Sequence, residues 1–201
     1  MHVIFDLDGT LIDSRRGILD SLDFVNHKIF KGVLVCSESH IGPPIAEMLR
    51  GFFLDISIEK LDEAEVEFRQ HYDSQGWRGY QLYKDVDIVL THLLSQDYKL
   101  SIATNKPKIP TYKIIEDSGI SEYFDNIVTF NKLEYSSKSD MVKKIMDQVN
   151  DECIMVGDSY DDLKAANDNK IQFINCSYGY GKVSEYYGQK VNEFSELMKV
   201  L

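Results

Sequence analysis

The chain has 201 residues, 43% of them apolar and 27% charged, proportions that exclude collagen-like, coiled-coil and disordered classes. Its formal net charge of −11 excludes binding to nucleic acid through a basic surface, so any anionic partner must be met by a local site or a metal. Three scattered cysteines (Cys36, Cys153, Cys176) with no CxxC pair argue against a disulfide framework, and no apolar run reaches membrane-spanning length.

The opening run MHVIFDLDG carries no basic leader or signal-peptide plan, and a soluble, cytoplasmic protein is expected. Its apolar residues, 3–5, read as a first strand. A helical block follows. Ile18, Leu22, Val25 and Ile29 share one helix face that stops near Gly32. Residues 45–53 follow a Gly42-Pro43-Pro44 turn, and Leu61, Ala64, Phe68 and Tyr72 mark another face. Only 33–36 looks strand-like there. So long a helical stretch exceeds what one crossover needs, and 15–83 reads as an all-helical cap domain inserted after the first strand.

Beyond it, 100–103, 127–129, 154–156 and 171–174 are short apolar runs suited to strands buried on both faces. Helical patterns separate them: 109–118 ending at Gly119, 139–149 starting from the capping residue Ser139, and 161–169. Alternating strand and helix implies an α/β fold, a Rossmann-like parallel sheet built from 1–14 and 84–201.

Acidic residues gather where these strands end. Phe5-Asp6-Leu7-Asp8-Gly9-Thr10-Leu11 follows the first strand, at the edge where open parallel sheets bind ligands. Gly157-Asp158-Ser159-Tyr160-Asp161-Asp162 repeats the arrangement later. Carboxylates brought to one edge repel unless a cation joins them, and all-oxygen ligation suits Mg²⁺. Ser101-Ile102-Ala103-Thr104-Asn105-Lys106 ends another strand, where a hydroxyl and a backbone N–H can hold phosphate oxygens. The five histidines share no metal-ligand spacing and read as surface or packing residues.

In this order, DLDGTLIDS, IATNK, a lysine before a helix (Lys138) and VGDSYDD resemble the haloacid dehalogenase superfamily of phosphatases and phosphotransferases. Ile41-Gly42-Pro43-Pro44-Ile45 and Ser177-Tyr178-Gly179-Tyr180-Gly181 are similar to its phosphoglycolate phosphatase-like branch, whose helical cap follows the first strand. The resemblance implies that Asp6 is the nucleophile that carries the phosphoryl group. Asp8 would be the acid for the leaving alkoxide and then the base for water. Thr104 and the Asn105 backbone would bind the phosphate, and Lys138 would neutralise charge. Asp6, the Asp8 carbonyl and Asp158 would ligate Mg²⁺, with Asp162 holding a water on it.

A halide leaves without a proton, so Asp8 speaks against dehalogenation. The lysine segment reads Ser137-Lys138-Ser139-Asp140 where the branch often has KPxP, and Lys132, Lys143 and Lys144 stand nearby. Likewise Tyr83-Lys84-Asp85-Val86 stands where a Pro-Gly pair is common. The expected activity is Mg²⁺-dependent hydrolysis of a small phosphorylated metabolite, with no nucleic-acid or membrane partner. The same residues suit a 5′-nucleotidase, a pyrophosphatase or a sugar phosphomutase. A non-catalytic phospho-acceptor module is the alternative of a different class.

Overall fold

A computed structural model describes residues 1–31, 41, 45–52, 56–181, 183 and 186–201. The expected helix stop at Gly32, the strand-like run 33–36 and the Gly42-Pro43-Pro44 turn lie outside the described residues, as do Cys36, His40 and Phe53. The chain divides into two compact units, Met1–Asp13 with Leu82–Leu201, and Ser14–Gln81. No helix among the described residues is long and apolar enough to cross a membrane.

The first unit opens with β1 (His2–Phe5) and β2 (Ile12–Asp13). The second holds α1 (Arg15–Phe30), α2 (Ile45–Phe52) and α3 (Ile58–Ser74). Most of the expected stripe residues are buried: Ile18, Leu22 and Val25 on α1, where Ile29 is only half-buried, and Leu61, Ala64, Phe68 and Tyr72 on α3. Lys31 ends α1 in the left-handed conformation (φ 59°), one residue before Gly32. Ser57 caps α3 by accepting the Lys60 amide. Gly17 donates its N–H to the Gly79 carbonyl at 3.0 Å, and a Cβ on Gly17 would strike the Gly76 carbonyl oxygen, so this approach requires glycine.

The chain then runs β3 (Gln81–Leu82), α4 (Val86–Ser95), β4 (Lys99–Thr104), α5 (Lys108–Asp117), β5 (Asn126–Thr129) and α6 (Lys138–Met146). It closes with β6 (Cys153–Gly157), α7 (Tyr160–Asn169), β7 (Gln172–Cys176), β8 (Lys190–Val191) and α8 (Leu197–Val200). Six strands form one parallel sheet in the order β5-β4-β1-β6-β7-β8, as the alternating pattern predicts. The chain leaves β1 for β4 and β5, then returns to β6 on the other side. β1 is therefore where the winding reverses, and its carboxyl end is where open parallel sheets place ligand sites.

Successive β1 residues serve opposite faces of the sheet. Ile4 joins the cluster of Met141, Val142, Ile145, Ala165 and Ala166 that seats α6 and α7. Phe5 faces Phe124 and Phe194 on the other side. Two boundaries differ from expectation. α6 begins at Lys138, because Ser137 rather than Ser139 caps it, with Asp140 completing a capping box. β8 has only two residues and exists by pairing with Asn175 and Cys176 of β7.

Candidate active site

Three adjacent strands deliver the site. Asp6 is the first residue past β1, Thr104 the last of β4, and Asp158 the first past β6. All seven residues expected there, Asp6, Asp8, Thr104, Asn105, Lys138, Asp158 and Asp162, belong to the unit that contains the sheet.

Lys138 occupies the first position of α6, where the positive end of the helix dipole disfavours a cation. Its company explains it. Nζ lies 2.6 Å from Asp162 Oδ1 and 2.7 Å from Asp6 Oδ1, and the Lys138 side chain is only 3% exposed. Burial alone would lower its proton affinity, but Asp162 and Asp6 outweigh that and hold the ammonium above the ordinary lysine range. Of the neighbouring lysines, Lys143 pairs with Asp147 on the surface, and Lys132 and Lys144 are exposed.

Asp162 is shared between two tasks. Its Oδ2 accepts from the Ser159 amide (2.9 Å) and hydroxyl (2.6 Å), closing a capping box on α7, while Oδ1 accepts from Lys138. An acid at the third helical position is favoured by the dipole, so helix start and lysine seat reinforce each other.

Asp158 sits in a pocket of backbone. Its Oδ2 accepts the Gly181 N–H at 2.7 Å. A Cβ on Gly9 (φ +79°) or on Gly179 would overlap the Asp158 carboxylate, so both positions need glycine. This is a use for Gly179 and Gly181 that their spacing alone did not disclose. Burial, then the Asp162 charge, push the Asp158 carboxyl up to about 7, against the Gly181 bond and Lys138. Burial likewise raises the Asp6 carboxyl well above the usual range, with Lys138 opposing and Asp162 and Asp158 adding to it.

Lys106 is not among the residues expected at the site. Its Nζ donates to Asp8 Oδ1 at 2.8 Å, and its side chain is 6% exposed against 22% for Asp8. The signal in the sequence was its place two residues after Thr104, at a strand end. The Thr104 hydroxyl oxygen accepts the Lys106 amide at 3.1 Å, which leaves the hydroxyl hydrogen to be given elsewhere. Asn105 is exposed and donates to Asp161 Oδ2 at 3.0 Å.

One ligand oxygen each from Asp6, Asp158 and Asp162 lie within 4.8 Å of one another, and all three residues are buried. Four carboxylates with Asp8 face two ammoniums, Lys106 and Lys138, leaving two negative charges uncancelled. Burial raises the Asp158 and Asp6 carboxyls first, and the neighbouring acids add to it. Hard oxygen donors with a charge deficit of two fit a divalent cation.

A family model described as haloacid dehalogenase-like hydrolase matches residues 3–176. The tyrosine-protein kinase PtkA of Mycobacterium tuberculosis is 32% identical over 189 residues, 90% of this chain and 63% of that protein. The chain thus spans less than two thirds of PtkA. The solved PtkA structure superposes with a TM-score of 0.86 at 29% identity, covering 99% of this chain and 96% of that one. A phosphoglycolate phosphatase of Colwellia psychrerythraea is 28% identical, covering 96% of this chain and 88% of that protein. A 5′-nucleotidase of Pseudomonas aeruginosa is 27% identical, covering 92% and 86% respectively. The match to the family model extends from β1 through all but the last residues of the site, and the chain belongs to the haloacid dehalogenase-like hydrolase family.

Proposed function

We propose that the protein is a Mg²⁺-dependent phosphatase of small phosphate monoesters, phosphoglycolate phosphatase-like, working in the cytoplasm through an aspartyl-phosphate on Asp6. The observation that carries this reading is the buried Asp6 carboxylate, held by Lys138 and grouped with Asp158 and Asp162 at the carboxyl end of β1. Phosphoryl transfer asks mainly for positioning and charge neutralisation, and this cluster supplies both.

Asp6 attacks the phosphorus and splits one hard hydrolysis into two easier steps. Lys138, seated by Asp162, offsets negative charge on Asp6 and on the phosphoryl oxygens. Thr104 gives its free hydroxyl hydrogen to a phosphate oxygen, beside the Asn105 backbone. Asp8 passes a proton to the departing alkoxide and then takes one from the attacking water, a role worth roughly 10²–10⁴ in rate. Asp6, Asp158 and the Asp8 carbonyl would hold Mg²⁺, with Asp162 placed to hold a water beside them, and the ion would supply further neutralisation of phosphoryl charge. The helical segment 15–83 is read as the cap that excludes water and selects the leaving group.

A second reading is favoured by the similarity to PtkA, described as a tyrosine-protein kinase: the phosphoryl group would pass to a tyrosine hydroxyl rather than to water. The experiment is phosphate release from phosphoglycolate, nucleoside monophosphates, sugar phosphates and pyrophosphate, with and without Mg²⁺, using Asp6→Asn as the blank. Mg²⁺-dependent release that vanishes in the variant supports the phosphatase. No release, with phosphotyrosine formed from ATP, supports the second reading.

A further inference from the structure

We propose that Tyr178 is a positioning residue for the metal centre: its hydroxyl ties the loop after β7 to the turn after β1 and so fixes the spacing around the Asp158 carboxylate. This rests on the reading of Asp158 and the Asp8 carbonyl as Mg²⁺ ligands.

Two short segments, 6–11 and 177–181, close on Asp158 from different parts of the chain. From the first, Gly9 comes so near that a Cβ there would overlap Asp158 Oδ2. From the second, a Cβ on Gly179 would overlap the same oxygen and the Gly9 carbonyl oxygen as well. Gly181 then gives its N–H to Oδ2 at 2.7 Å. One carboxylate is therefore fitted between the turn and the loop.

The loop is anchored where it leaves β7. The Ser177 N–H and hydroxyl both donate to the Val191 carbonyl, at 2.9 and 3.0 Å, and the Gly179 N–H donates to the Cys176 carbonyl at 3.1 Å. Those bonds hold its start against β7 and β8. Tyr178 carries it across to the turn. Its hydroxyl donates to the Thr10 carbonyl at 2.8 Å, from 168 residues away in the chain, and also meets the buried Cys176 thiol. Its ring packs edge-on against Tyr83, with centroids 4.7 Å apart, and the Tyr83 N–H holds the Leu11 carbonyl at 3.0 Å. Adjacent carbonyls of the turn are thus gripped by two residues that pack on each other.

The consequence falls on the ligands. The Asp8 carbonyl belongs to the turn, whereas Asp158 starts from the end of β6. Mg²⁺ demands nearly ideal octahedral geometry, so oxygens from two segments serve it only if the segments keep their separation. A loop that moved off the turn would loosen the fit of Gly9 and Gly179 and draw the Gly181 N–H away from Oδ2. Groups outside the ligand shell commonly orient ligands in this way.

The test titrates Mg²⁺ alone into wild type, Tyr178→Phe and Tyr186→Phe by calorimetry, with folding checked by circular dichroism. Tyr186 is the comparison because its hydroxyl also donates to a backbone carbonyl, that of Phe173 at 2.6 Å, and its ring also packs edge-on, against Phe173. It lies on the cluster that seats α6 and α7, not beside Asp158. Loss of a group bonded to a ligand costs about tenfold to a hundredfold in affinity, so Tyr178→Phe, one step further out, should weaken Mg²⁺ binding about threefold to tenfold. Tyr186→Phe should leave it unchanged. In wild type, Mg²⁺ should also slow amide hydrogen exchange at Gly179 and Gly181, because an ion that needs the closed loop stabilises it. Unchanged affinity in Tyr178→Phe, an equal loss in Tyr186→Phe, or exchange at the two glycines indifferent to Mg²⁺ would overturn the proposal. The exchange measurement uses wild type alone and decides the matter even if Tyr178→Phe fails to fold. Wild type that binds no Mg²⁺ would remove Asp158 as a ligand, and the proposal with it.

Discussion

Lys138 Nζ lies 2.7 Å from Asp6 Oδ1, although the two residues come from the start of α6 and the end of β1. The contact holds a cation at a helix N-terminus and a buried carboxylate, each tolerated because of the other. Removing the ammonium leaves Asp6 and Asp162 without it. Lys138→Met is expected to destabilise the metal-free protein by about 3 kcal/mol and to abolish detectable turnover. Chemical denaturation with and without Mg²⁺ checks the first part, and phosphate release the second.

The Asp158 carboxyl, pushed up to about 7, links metal binding to protons. Below that pH the metal-free site is protonated, and a divalent cation must displace the proton. Mg²⁺ affinity is expected to fall as the pH drops through 7. Calorimetry in buffers of differing ionisation enthalpy should record more proton release on binding at pH 6 than at pH 8. For folding the sign reverses. The native Asp158 keeps a proton that the unfolded chain loses near pH 4, so its contribution to metal-free stability declines as pH rises from 4 to 7.

Gly179 and Gly119 offer a paired comparison. A Cβ on Gly179 would overlap Asp158, so Gly179→Ala should weaken Mg²⁺ binding at least tenfold, measured by titration, with the fold retained. Gly119 ends α5 at φ +72° with open space around its Cα. Gly119→Ala should cost about 1 kcal/mol of stability by thermal unfolding and leave Mg²⁺ affinity unchanged.

Ser137 and Ser159 cap α6 and α7 in the same way. Each change to alanine should cost about 1 kcal/mol. Ser159 also fixes Asp162, which seats Lys138, so Ser159→Ala alone should lower kcat. Equal kinetics in the two variants would disconnect that chain of contacts.

Asp85 stands at φ +64°, the left-handed conformation that glycine adopts without penalty. A glycine at this position would adopt the same backbone without that penalty. Asp85→Gly should stabilise the protein by up to about 1 kcal/mol, read as a raised Tm with unchanged turnover.

The parallel sheet and the strand-end acids were legible because both are local patterns. A strand buried on two faces must be a short apolar run, as at Val3, Ile4 and Phe5, and a turn that carries Asp6 and Asp8 follows within a few residues. The stripes of α1 and α3 were legible for the same reason, since a helix that buries one side repeats its apolar residues every three or four positions. The cap of α6 lies two residues before the expected one: Ser137 and Ser139 are both capping residues, but only Ser137 has an acid three residues on, Asp140, to complete a capping box. α4 was not among the expected helices, although Val86, Val89, Leu90 and Leu93 form its buried face. β8 is a strand only because β7 lies beside it.

By itself, then, the sequence determined the class of the fold, the strand ends that carry the acids and the family pattern they form, since each is written in neighbouring residues. Tertiary structure alone decided the pairing of Lys106 with Asp8, the close fit of Gly9 and Gly179 around Asp158, and the choice of Lys138 over its neighbours. Those contacts join residues far apart in the chain. They depend on β1 lying between β4 and β6, an order fixed by the packing of the whole sheet.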